Sequence, residues 1–200
     1  IKDLDFFILE QLLKYMTKWK KSGKSLFTIS TNFSRKHFEN GGEAFLQRMH
    51  ETMDKYDIDP SYIEVEVTES VMTEKLEDLK HCMIELAQMG FRIAIDDFGT
   101  GYSSLAYLKR YPIDKLKIDR SFITDTPHSV DDVAIVTAII QMGRSLQLQV
   151  LAEGVETAEQ QALLTHLGCD LVQGFGLSRP LPAHQVPSWW HRWGTQPLFA

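Results

Sequence analysis

The chain alternates between two periodicities from one end to the other, and this constrains its fold more than any single motif. Short β-rich runs, "SLFTIST" (25–31), "YIEVEVT" (62–68), "FRIAI" (91–95), "DKLKI" (114–118), "LQVLA" (148–152) and "CDLVQG" (169–174), are each followed by a stretch with helical spacing of apolar residues. Helices are predicted over 42–56, 72–90, 104–111, 131–146, 157–168 and around 183–193, after an opening helix that ends near Gly23. That opening helix is expected to bury Leu4, Phe7, Ile8, Leu12, Tyr15, Met16 and Trp19. Strand and helix in strict alternation specify a parallel sheet covered by helices. At 200 residues the chain has room for one domain spanning 1–200.

The choice between an open sheet and a closed barrel rests on where the polar residues fall. Each predicted strand finishes on groups a core does not want: Asn32, then Glu66 and Glu69, Asp96 and Asp97, Lys117 and Asp119, Glu153 and Glu156, and Gln173. In a (β/α)8 barrel every strand delivers its C-terminal end to one mouth, where the active site lies. An open sheet would use mainly the loops beside its switch point. The sequence therefore reads as an α/β protein with a TIM-like (β/α)8 barrel. Eight strands are needed and six are found, so the first two are expected upstream of Ile1, and an unclosed wall would expose strand edges.

The segment "IAIDDFGTGYSSL" (93–105) carries the sharpest chemical signal. Adjacent carboxylates repel, which raises the pKa of one unless a cation or several donors compensate. Two readings stand: Asp97 starts the turn while Asp96 is solvated, or the pair binds metal. The second requires strand three to end there, because in a continuing strand the two side chains would point to opposite faces. All candidate ligands, Asn32, Glu66, Asp96, Asp97 and Glu153, are oxygens, and no histidine sits in a Cys/His spacing. That set favours Mg2+ or Mn2+ over Zn2+. The carboxylates exceed what one cation needs, and two ions are suited to phosphoester cleavage. Lys117 reads either as a group that orients water or phosphate, or as an ion-pair partner of the nearby acids. Gln173 reads either as a contact to a base or a water, or as a satisfied loop residue. Of Glu64 and Glu66, which share a face, only Glu66 is expected to reach the mouth. Glu69 is placed to hold the next loop, Ser70 to cap a helix, and the histidines are read as structural or solvated.

Composition closes off other classes. A net charge of −6 gives no basic field for a nucleic-acid polymer. Cys82 and Cys169 stand in no paired motif, which argues against a disulfide or thiolate metal site and for a reducing, cytoplasmic setting. The opening segment mixes acids and lysines and has no uncharged run of signal-peptide or membrane-span length, so the chain is expected to be soluble.

Six motifs, "NFS" (32–34), "EVTES" (66–70), "DDFGTGYSSL" (96–105), "LKIDRSF" (116–122), "AEGVET" (152–157) and "QGFGLSRPLP" (173–182), together resemble the EAL family of cyclic di-GMP phosphodiesterases, in the family's order and over nearly the whole chain. The resemblance implies hydrolysis of cyclic di-GMP to linear pGpG with two Mg2+ or Mn2+ ions. It implies that Asn32, Glu66 and Asp96 hold one metal, that Asp96 bridges to a second completed by Asp97, and that Lys117 and Glu153 position and deprotonate the water, with Glu153 also near the metals. Glu69, with Thr68, would anchor the loop 98–105, which the family associates with dimerisation. Glu156 would support this network, and Gln173 and Asp119 the substrate. The Glu-Ala-Leu motif itself, whose glutamate is a ligand, is absent from the chain, so catalysis is expected only with an upstream segment restored. The resemblance further implies a homodimer and an upstream sensory or GGDEF domain, with membrane attachment possible only through such regions. Two other readings remain: an inactive receptor or protein-interaction module of the same family, and a barrel enzyme acting on another phosphoester. "DDFG" lacks the other kinase signatures. The tail "PSWWHRWGTQPLFA" is expected to pack on the barrel.

Overall fold

The computed structural model describes residues 1–38, 42–70, 76–101 and 108–193. Six strands form one sheet: β1 (Ile29–Asn32), β2 (Ile63–Thr68), β3 (Arg92–Phe98), β4 (Lys115–Ile118), β5 (Gln149–Ala152) and β6 (Leu171–Val172). They lie side by side in sequence order and every pairing is parallel. Each crossover therefore steps to the next position in one direction, which builds a barrel wall. A doubly wound sheet would reverse its order at a switch point. The fold is the six-stranded part of a TIM-like barrel, two strands short of closure.

Long helices accompany the strands: α1 (Lys2–Lys21) before β1, α2 (Glu43–Met53), α3 (Leu76–Gln88), α4 (Val130–Ser145) and α5 (Ala158–Leu167) in the crossovers that follow β1, β2, β4 and β5, and α6 (Val186–Trp193) after β6. Ser129 caps α4 through its side chain, and Thr157 with Gln160 forms a capping box on α5. Strand entries are tied by aspartates. Asp114 accepts from the Ile93 N–H at 2.8 Å, and Asp170 accepts from the Val150 N–H at 2.8 Å. Helix and wall meet closely at Gly143, where a Cβ would lie 2.2 Å from a Val150 methyl.

Three expectations change. The run 25–31 contributes only its end to β1, and Leu26 and Phe27 pack on the core instead. Residues 120–123, read as loop, make a single helical turn, Arg120–Ile123, capped by the Asp119 side chain. The third change concerns α1, which buries Phe6, Leu9, Leu13, Met16 and Trp19, whereas Leu4, Phe7 and Ile8 are 56%, 58% and 49% exposed and Tyr15 is also exposed. The helix is apolar on more than one side, so periodicity alone does not select the face. Contact with the sheet does. The start of the helix predicted from 72, the first half of that predicted over 104–111, and the tail beyond 193 lie outside the described residues. Within the described tail, Trp190 stacks on Phe27 at 4.6 Å, and Phe27 stacks on Trp19 at 5.8 Å. Among the described residues no helix is long and apolar enough to cross a membrane.

The face of α1 is testable by paired truncation. Leu13→Ala, at a fully buried position, is expected to cost about 2–5 kcal/mol in urea unfolding of the 200-residue chain. Leu4→Ala is expected to stay within about 0.5 kcal/mol of the unmodified chain. Equal losses would contradict the orientation.

Candidate active site

The site is built on the inward-facing side of four adjacent strands, at their C-terminal ends. Lys117 of β4 sits at its centre. Its Nζ lies 2.8 Å from Glu66 Oε1 of β2, 2.9 Å from Asp96 Oδ1 of β3 and 2.8 Å from Glu153 Oε1, one residue beyond β5. Lys117 and Glu66 are buried, and Asp96 and Glu153 are partly so. Burial pushes the lysine pKa down, but the charge of Glu66 and the bonds to Glu153, Glu66 and Asp96 outweigh it. The ammonium is held above its ordinary value. Glu153 is shifted up, because its own burial and the nearby Asp96 and Glu66 outweigh Lys117.

Asn32, exposed at the end of β1, donates from Nδ2 to Glu66 Oε2 at 2.9 Å. The next residue, Phe33, donates its N–H to the Glu66 carbonyl at 3.1 Å. Strand β3 does not stop before the aspartates, as expected from the sequence, but runs through them to Phe98. Its pairing with β4 shifts between Ile95 and Phe98, and Asp97 takes a left-handed φ of 54°. This twist replaces the expected strand end. It breaks the alternation of faces, so Asp96, Asp97 and Glu153 offer oxygens that all lie within 4.8 Å of one another. A non-glycine residue in that conformation is strained, and such strain concentrates at functional positions. The turn is closed by Thr100, whose hydroxyl donates to the Asp97 carbonyl at 2.8 Å.

Burial raises the pKa of Asp97, and the charges of Asp96 and Asp119 add to it. Asp119 moves the other way. Its burial is outweighed by bonds from the Ser121 side chain and N–H, the Arg120 N–H and Asp97. Asp97 thus holds a proton more readily than Asp119, toward which it points.

Glu69, just past β2 and buried, accepts at one carboxylate oxygen from the N–H groups of Gly99 at 2.9 Å and Gly101 at 3.0 Å. The structure thus places it beneath the turn that follows Asp97; residues 102–105 of the predicted loop lie outside the described set. Thr68 stands opposite Asp96 in the ladder and its hydroxyl lies 3.0 Å from that of Ser70. Glu156 is turned toward the surface, 3.0 Å from Arg120, and does not join the Lys117 cluster. Gln173 is exposed at the end of β6, its backbone bonded to Ala152 and Val155.

Sequence reasoning missed a second ion pair one rung deeper. Lys115 lies 2.8 Å from Glu64, which also accepts from the Ser30 hydroxyl at 2.7 Å. The two-residue spacing of 64/66 and 115/117 was the available signal. It also missed the buried contact of His37 with Asp5 at 2.9 Å. Burial pushes the thiols of Cys82 and Cys169 up to about 12 and about 11, so neither offers a thiolate.

Fold and site together define a TIM-like barrel with an acidic, all-oxygen mouth organised around one lysine. A family model described as "EAL domain" matches residues 1–180, and the chain belongs to that family. It is 43% identical over 179 residues to the "Bifunctional diguanylate cyclase/cyclic di-GMP phosphodiesterase MucR" of Pseudomonas aeruginosa, covering 90% of this chain and 26% of that protein. The solved structure "PaMucR Phosphodiesterase, c-di-GMP complex" is 42% identical with a TM-score of 0.84, over 90% of this chain and 72% of the other. The structure "Klebsiella pneumoniae BlrP1 pH 9.0 manganese/cy-diGMP complex" is 28% identical with a TM-score of 0.78, over 90% and 45%. The chain spans about a quarter of the length of the curated relatives it matches.

Two measurements check this geometry. In Glu69→Ala the Gly99 and Gly101 amides lose a charged acceptor worth about 1.5–3 kcal/mol, so their hydrogen exchange should quicken roughly 10- to 100-fold. Unchanged protection would show that the turn does not depend on Glu69. Lys117→Met leaves three carboxylates facing each other and is expected to cost about 3–5 kcal/mol of stability in EDTA. Without the ammonium, which opposes the upward shift of Glu153, that carboxyl rises further above its ordinary value, so the folded state takes up its proton before the unfolded one. The deficit should narrow as pH falls from about 7 to about 5, and a deficit that widens would contradict the assignment.

Proposed function

We propose that this chain is the catalytic part of a metal-dependent phosphodiesterase that hydrolyses cyclic di-GMP to linear pGpG in bacterial second-messenger signalling. The observation that carries the reading is the convergence of Glu66, Asp96 and Glu153 on Lys117, with Asp97 twisted into the same space. The names of the relatives support it, since MucR and NbdA of Pseudomonas aeruginosa are both described as cyclic di-GMP phosphodiesterases.

The donor set fits divalent cations. Glu66, Asp96, Asp97, Asp119 and Glu153 oppose a single ammonium. Fully ionised, they leave four negative charges, the charge two divalent ions balance, and neighbouring carboxylates add to burial in raising the pKa values of Asp97 and Glu153. Asn32, Glu66 and Asp96 would hold one Mg2+ or Mn2+ ion, with Asp96 shared with a second ion completed by Asp97 and Glu153. Bound there, the ions would supply Lewis-acid stabilisation of the phosphoryl and attacking oxygens.

The chain's own groups divide the remaining work. Glu153, with its pKa raised, is suited to accept the proton of the attacking water as general base. Lys117, charged, would hold that water or a phosphate oxygen in line once one of its three carboxylate contacts is released to a metal ion. Gln173 and Asp119, at the ends of β6 and β4, are placed for the substrate, and Glu69 with Thr68 maintains the turn behind Asp97. The assembly read here is a homodimer in the cytoplasm, with an upstream GGDEF or sensory domain.

Product analysis by chromatography with Mg2+ or Mn2+ tests the reading, on this chain and on the chain extended upstream by the strands that close the barrel. Conversion of cyclic di-GMP to pGpG is expected in the extended protein and not in EDTA. Glu153→Gln should lower turnover by about 10^2–10^4, and Asp96→Asn should abolish Mn2+ dependence along with activity. Cyclic di-GMP binding without turnover in the extended protein would overturn the enzyme reading and leave a receptor.

A further inference from the structure

Asp5 lies on the buried face of α1, 8% exposed, in a row otherwise made of Phe6, Leu9, Leu13 and Met16. Packing alone calls for an apolar residue there, and a buried carboxylate is costly unless donors replace its water. Asp5 commits one oxygen to two donors. Oδ2 accepts from the Ser34 N–H at 3.0 Å and from His37 Nε2 at 2.9 Å. Both donors belong to the turn that carries the chain out of β1, immediately after Asn32.

The turn is held from two sides. Asn32 is the last residue of β1. On the sheet side, the Asn32 side chain and the Phe33 N–H both bond to Glu66. On the helix side, Ser34 is fixed by Asp5, and its own hydroxyl accepts from the Lys36 N–H to start the 3-10 turn Arg35–His37. His37 closes that turn inside an aromatic box, with Phe6, Phe33 and Phe45 at centroid distances of 5.5, 5.6 and 4.8 Å. Burial holds the ring's pKa below the ordinary histidine value against the pull of Asp5, and Lys2 and Arg48 add to the lowering. Neutral and facing a carboxylate, the ring carries its hydrogen on Nε2.

We propose that Asp5 and His37 are positioning residues that orient Asn32 at the barrel mouth and thereby set the mouth's affinity for a divalent cation. The proposal rests on Asn32 being a cation ligand, as in the function proposed above. Partners that orient a ligand in this way govern metal affinity without touching the metal.

The test is Mn2+ binding measured by electron paramagnetic resonance, with thermal unfolding as control, on the protein and on Asp5→Leu, Asp5→Asn and Asp96→Asn. Asp5→Leu is expected to bind Mn2+ about tenfold more weakly or worse at temperatures where it is fully folded, with a lowered thermal midpoint because the Ser34 N–H and His37 Nε2 lose their acceptor. Asp5→Asn keeps the shape and one acceptor, and should lose less. The Asn32 side-chain amide resonances should shift in both. Mn2+ affinity within about twofold of the unmodified protein in both Asp5 variants, or weakening that merely follows unfolding, would overturn the proposal. If Asp96→Asn loses Mn2+ while the Asp5 variants keep it, the positioning proposal alone falls. If Asp96→Asn binds as well as the unmodified protein, or that protein binds none, the cation site falls and the proposal with it.

Discussion

The Lys117 ammonium is the constraint on which the mouth depends. Without it, Glu66, Asp96 and Glu153, brought from three strands to within 3 Å of one point, would repel each other in a poorly solvated space. Its neighbours explain its place: β4 lies between β3 and β5, so a residue on its inner face is equidistant from the ends of both and within reach of β2. A buried ion pair is weak evidence for stability, because desolvation offsets much of its attraction. Here its physical effect is to fix positions. Three carboxylates that share one ammonium cannot turn independently.

The twist at Asp97 follows from the same crowding. Once Asp96 faces Lys117, a regular strand would send Asp97 outward through the wall. The left-handed φ returns it to the mouth, and that conformation is held by neighbours rather than by preference. Thr100 closes the turn onto the Asp97 carbonyl, and Glu69, from the preceding strand, gathers the next two glycine N–H groups. A carboxylate just past β2 thus steadies the turn that follows one on β3. The strain at Asp97 is affordable because two charge-assisted bonds oppose its relaxation.

Much of this was legible in the sequence because it rests on period and order. Strand and helix alternation gave the parallel wall, and polar residues at six strand ends gave the mouth. Glu66 rather than Glu64 reaches the mouth, as two-residue spacing requires. What was hidden depends on the third dimension. The face of α1 could not be selected because Leu4, Phe7 and Ile8 are as apolar as Phe6, Leu9 and Leu13, and the one polar residue on the buried face, Asp5, argues locally for the wrong side. The continuation of β3 past Ile95 was hidden because a charged pair looks like a strand end, and only the φ of Asp97 reconciles the two. Glu156 was grouped with the mouth by its motif, yet the helical turn Arg120–Ile123, unseen in the sequence, presents Arg120 to it and draws it outward.

The barrel interior contains its own control for the charge of the upper cluster. Glu64 and Lys115 stand two residues below Glu66 and Lys117 on the same strands, with the same residue types, the same inward direction and the same 2.8 Å separation. The lower rung is balanced: one carboxylate meets one ammonium, and the Ser30 hydroxyl takes up a remaining lone pair. Nothing there has charge to offer a ligand. In the upper rung Asp96, Asp97, Asp119 and Glu153 are added to the same pair, and neighbouring carboxylates add to burial in raising the pKa values of Asp97 and Glu153. The residue types of the pair are shared between the rungs, so they do not account for the difference. What separates a structural ion pair from a candidate catalytic centre in this chain is unbalanced negative charge, held in place by a cation too few to neutralise it.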